Sequence, residues 1–116
     1  MTDSLAGSGN DEVDVDRVIE LLDTGAALLD VREPYEWDAG HAPQACHVPM
    51  GLLSLDGLPA GRPVLVVCHL GVRSAAVVEA LRRAGVEAVN VSGGMAAWAA
   101  AGLPVVTDAG ASGAIV

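Results

Sequence analysis

The sequence predicts a three-layer α/β domain: a five-stranded, mostly parallel sheet with helices on both faces. Three observations carry that prediction. Short apolar runs alternate with stretches at helical spacing. The run Val64-Leu65-Val66-Val67 is apolar at four successive positions, as expected of a central parallel strand covered on both sides. Glycines at 25, 85 and 102 close three of the helical stretches, where a left-handed residue ends a helix without a Cβ penalty.

In chain order, residues 1–12 are small, polar and acidic and read as a disordered tail. Asp14 is a good N-cap for a helix with Val15, Val18, Ile19 and Leu22 at i, i+3, i+4 and i+7. A strand over 26–31 ends in Asp30-Val31-Arg32, and Pro34 opens a short helix to about Ala39, since proline is tolerated in a first turn. Gly40-His41-Ala42-Pro43 reads as a turn and 45–48 as a short strand. A weak helical turn over 49–54 and a loop to Pro63 follow. After the strand 64–67 come a helix over 73–84, a strand over 86–91, a Ser92-Gly93-Gly94 turn and a helix over 95–101. The domain proper is 13–106, and the Gly/Ala/Ser-rich 107–116 reads as a flexible C-terminal tail.

The 116 residues suit one domain, and 52% hydrophobic content with only 3% aromatics implies an aliphatic core. Trp37, Trp98 and Met95 are expected to pack into it. Fifteen acids against six arginines, with no lysine, give a formal charge of −9, which repels phosphates. Nucleic-acid and membrane partners are therefore not expected. No apolar stretch approaches the ~20 residues of a membrane span, and the first residues carry acids, so a cytoplasmic location is expected.

The chemistry concentrates in Cys68-His69-Leu70-Gly71-Val72-Arg73-Ser74, between the central strand and a helix. Backbone N–H groups at such a junction converge on one point and favour an anion there. Thiolates so placed have pKa values lowered to roughly 3.5–7.5, which would make Cys68 a nucleophile at neutral pH. Gly71 permits a tight turn and Ser74 offers a first-turn hydroxyl. Arg73 closes the loop either on an anion or on a nearby carboxylate. Cys46 reads as a small hydrophobe. The Cys and His spacings match no metal-binding pattern, so no metal is expected.

This loop closely resembles the active-site loop of single-domain rhodanese-like sulfurtransferases. Residues 28–37 (LLDVREPYEW), 40–49 (GHAPQACHVP) and 93–98 (GGMAAW) resemble three further signatures of that family, in the same order. The resemblance spans about 14–106. It implies a five-stranded parallel fold and ping-pong transfer of a sulfane sulfur from a donor, thiosulfate or a persulfide, to cyanide or a thiol through a Cys68 persulfide. It also implies that His69 to Ser74 bind the persulfide and that no cofactor is needed beyond that covalent intermediate. A protein donor or acceptor is an allowed partner. Asp30, Arg32 and His41 are expected to support the site structurally. Glu36 stands where some thiosulfate-using relatives carry a basic residue, which favours a persulfide donor. A persulfide carrier acting for a partner enzyme is the alternative. A phosphatase-like hydrolase is the weaker rival, because phosphatase loops place five residues between Cys and Arg and this one has four, His69 to Val72.

Overall fold

The computed structural model describes residues 11–59 and 61–116. Among these, five parallel strands form one sheet in the order β1-β5-β4-β2-β3, with β1 Glu12–Val13, β2 Ala27–Asp30, β3 Ala45–His47, β4 Val64–Val67 and β5 Ala88–Val91. Three helices connect strands, α1 Val15–Asp23, α2 Pro34–Ala39 and α3 Val72–Arg83, and α4 Gly94–Ala100 follows β5. From β2 the chain first goes to β3 on one side, then crosses to β4 and β5 on the other. The carboxyl ends of β2 and β4 therefore form the crevice where such sheets bind ligands.

Alternation along the strands splits the core into two layers. Leu28, Leu65, Val67, Val89 and Val91 face Val15, Val18 and Leu21 of α1 and Met95 and Trp98 of α4. Leu29, Val31, Val64, Val66 and Ala88 face Val77, Val78 and Leu81 of α3. Asp14 caps α1 as expected, its side chain accepting the Arg17 N–H at 2.9 Å.

Three expectations need correction. β1 begins at Glu12, the last residue of the segment assigned to the N-terminal tail. Two residues long, it exists by pairing Glu12 with Asn90 and Val13 with Val91 of β5. Residues 1–10 of that tail lie outside the described residues.

The stretch 107–116, read as a loose tail, is instead folded back over the turn after α2. Val106 and His41 exchange two backbone hydrogen bonds of 2.9 Å, the Ala114 N–H donates to Ala39 O at 2.9 Å, and Ile115 packs on the α1/α4 core layer. Composition hid this because the contact is made by backbone. Gly40 and Gly113 pack so closely that a Cβ on Gly113 would stand 2.7 Å from the Gly40 Cα.

Trp98 and Met95 are fully buried, but Trp37 is not a core residue. It is sandwiched between His41 and His47, with ring centroids at 3.5 and 4.7 Å, and its N–H donates to the Asp108 carboxylate.

Candidate active site

Cys68 is the first residue beyond β4, and its side chain points into the α3 layer, where only 1% of the residue is exposed. The chain then turns through Gly71, whose φ of +106° lies in the left-handed region and suits glycine, and enters α3 at Val72. This turn brings two backbone N–H groups and a hydroxyl onto the sulfur. The Gly71 N–H stands 3.1 Å from Sγ, the Ser74 N–H 3.4 Å and the Ser74 hydroxyl oxygen 3.2 Å. Burial pushes the thiol pKa up; the Ser74 hydroxyl and the backbone N–H groups of Ser74, Gly71 and Arg73 outweigh it and leave Cys68 below an ordinary thiol.

The loop is held from behind by α4. Met95 N–H donates to Cys68 O at 2.8 Å and Ala96 N–H to His69 O at 3.0 Å. These two bonds fix the first carbonyls of the loop on α4. Gly94 permits the approach, because a Cβ there would collide with both carbonyl oxygens.

Arg73 resolves the two options left open by sequence in favour of a carboxylate. Its Nη1 and Nη2 meet Glu36 Oε1 and Oε2 at 2.7 and 2.9 Å, a bidentate pair across the mouth of the loop. Glu36 also accepts the Glu33 N–H at the start of α2. The Arg73 guanidinium is the main cause that holds the Glu36 carboxyl down to about 2, against the opposing pull of burial. The same pairing raises the pKa of Arg73.

Asp30 and Arg32 are brought together with each other, in a fully buried ion pair of 2.8 Å at the end of β2. Arg32 also donates to Gly40 O, which ties β2 to the turn after α2. His41 lies on that turn, with Nδ1 2.9 Å from Trp37 O and Nε2 3.4 Å from Asp108. In the loop itself, His69 is partly buried while Leu70 and Val72 are exposed. Cys46, read as a small hydrophobe, is exposed on edge strand β3.

One residue escaped the sequence reading. Asn90, buried in β5, reaches both the Ser74 hydroxyl and Gly71 O. A polar side chain in the otherwise apolar run Ala88-Val89-Asn90-Val91 was the available signal.

A parallel α/β domain that aims loop N–H groups at a buried cysteine beyond its central strand belongs to the cysteine-centred α/β class. The chain is a member of the rhodanese-like domain family, whose match covers residues 14–101. It is 38% identical over 94 residues to a sulfurtransferase of Allochromatium vinosum, covering 78% of this chain and 88% of that one. It is 42% identical over 85 residues to a probable adenylyltransferase/sulfurtransferase, MoeZ, of Mycobacterium tuberculosis. That match takes in 67% of this chain but 22% of the longer protein. The crystal structure of a rhodanese-related protein from Thermoplasma volcanium superposes with a TM-score of 0.79 at 32% identity, over 85% of this chain and all of that one. Both curated relatives carry sulfurtransferase in their names.

Proposed function

We propose that this domain transfers sulfane sulfur through a persulfide on Cys68, with a thiol persulfide as the preferred donor. The observation that carries the reading is the pair of loop N–H groups directed at one buried sulfur, with the Ser74 hydroxyl oxygen beside them. The Cys68 thiolate attacks the outer sulfur of the donor. A new S–S bond forms, the donor's S–S bond breaks, and the donor thiolate leaves with the electron pair. The loop donors that stabilised the thiolate then stabilise the charged persulfide, as an oxyanion hole does for oxygen. A thiophile such as cyanide or a thiol takes the outer sulfur and returns Cys68 to its thiolate.

Charge supports the choice of donor. Five of the six arginines lie within 3.3 Å of a carboxylate, Arg73 among them. The sixth, Arg62, precedes β4 and lines a cleft with Cys46 at the opposite end of the strands. A dianion such as thiosulfate gains little at this mouth, and a net charge of −9 repels it. Paired as it is with Glu36, the Arg73 fork gives phosphoryl chemistry little support. The carrier alternative draws on Tyr35, Leu70 and Val72, large apolar side chains left exposed on α2 and the loop, which suit contact with a protein partner. Its reactive thiolate suits a reducing compartment such as the cytoplasm.

Intact mass after incubation with a small-molecule persulfide, and separately with thiosulfate, tests the reading. With Cys46→Ser in every protein, a gain of about 32 Da, one sulfur, is expected from the persulfide and is lost in Cys68→Ala. No gain from either donor, or a gain that survives Cys68→Ala, overturns it. Turnover with cyanide separates an enzyme from a carrier, which would release its one bound sulfur and stop.

A further inference from the structure

We propose that Asn90 is a positioning residue for Cys68 that acts through Ser74. Its side-chain amide holds the Ser74 hydroxyl hydrogen away from the sulfur while Cys68 is a thiol and yields it when Cys68 is charged. The inference rests on Cys68 being the sulfur nucleophile.

Proton counting leads there. Asn90 Nδ2 lies 2.9 Å from Gly71 O and 3.2 Å from the Glu12 carboxylate, both of which only accept. The amide nitrogen must face them, so Oδ1 faces the Ser74 hydroxyl. Oδ1 only accepts, so that hydroxyl must donate, and it has one hydrogen to give. The same Ser74 oxygen stands 3.2 Å from Cys68 Sγ. With its hydrogen on Asn90, Ser74 turns lone pairs toward the sulfur and suits an S–H donor. When Cys68 releases its proton to solvent, the hydroxyl rotates, its hydrogen goes to the thiolate, and Asn90 Oδ1 loses its donor. Forming the thiolate therefore costs one buried hydrogen bond, so Asn90 sets how readily Cys68 ionises. Through Nδ2 the same amide also braces Gly71, whose N–H faces Sγ.

The charged and titratable groups around this chain are few. Glu12 of β1 faces Asn90; Arg73 of α3, paired with Glu36 of α2, lies on the sulfur's side with Tyr35, and His69 belongs to the loop. None of them supplies the hydroxyl hydrogen.

A double-mutant cycle tests this, read as the pH dependence of Cys68 alkylation by iodoacetamide in the full chain. Cys46→Ser in every protein leaves a single thiol. Asn90→Leu removes the competing acceptor. Its shift of the alkylation midpoint should be about one pH unit more acidic with Ser74 present than in the Ser74→Ala background, a tenfold change in thiol dissociation. Asn90→Asp, which keeps the position polar should leucine prevent folding, should show the opposite coupling, because a carboxylate holds the hydroxyl hydrogen harder. Equal shifts in both backgrounds would reduce Asn90 to a structural brace and overturn the proposal, as would coupling of reversed sign. The readout is thiol ionisation, so failure here leaves persulfide loading untouched, and loading measured by mass is judged separately.

Discussion

Replacing Gly94 with alanine should disable the site without touching any side chain in it. Gly94 has φ +60°, where an L-residue costs ~1–2 kcal/mol. Its new Cβ would also stand 2.6 Å from the His69 carbonyl carbon and collide with the Cys68 and His69 oxygens. All three atoms are backbone, so relief requires α4 to withdraw from the loop. That breaks the Met95 N–H to Cys68 O and Ala96 N–H to His69 O bonds, each worth about 1 kcal/mol net and more if a partner is left unsatisfied. The expected loss is roughly 3–5 kcal/mol of stability, together with a rise in the Cys68 alkylation midpoint as its N–H donors move. Urea unfolding and the pH profile of iodoacetamide labelling measure the two effects. A variant within about 0.5 kcal/mol of the parent, with an unchanged labelling profile, would show that the approach of α4 does not shape the loop.

Glu36→Gln should change both acid stability and donor preference. The Glu36 carboxyl, at about 2 rather than 4.5, contributes stability that is full above pH 4.5 and lost as the pH falls toward 2. Allowing for the partial exposure of Arg73, the contribution is about 2 kcal/mol, so unfolding measured between pH 7 and pH 2 should depend less on pH in the variant. The released Arg73 should raise sulfur loading from dianionic thiosulfate relative to a small-molecule persulfide several-fold; an unchanged ratio would count against the charge argument. Deleting residues 107–116 removes the Ala114 N–H to Ala39 O bond, the Asp108 partner of Trp37 and the packing of Ile115. A loss of about 2–4 kcal/mol in urea unfolding is expected, and a midpoint equal to that of the full chain would contradict the docked geometry.

Local signals made most of this fold legible. Asp14 announced α1, Pro34 opened α2 at the residue expected, and the unbroken apolar run over 64–67 marked the strand that ends at Cys68. The loop spacing and three further signatures led to the family. What escaped depends on partners distant in sequence. Two-residue β1 has no periodicity to read and is defined by Asn90 and Val91. The 107–116 segment is fixed by backbone bonds from Ala114 to Ala39 and from Gly113 to Val105 and by two glycines in contact, none of which a composition of small residues discloses. Trp37 went astray because an aromatic defaults to the interior, whereas here two imidazoles flank it. Arg73 could be narrowed to two partners but not to one, since Glu36 lies 37 positions away.

The depth of Cys68 has a consequence for which molecules can reach it. With 1% of the residue exposed, its sulfur offers an incoming reagent little surface, so slender electrophiles are favoured over branched or bulky ones. An S–S bond adds about 2 Å to the reach of the side chain. Between its empty and its charged state the protein thus alters the length of its own reactive arm, a sorting by girth that needs no hinge.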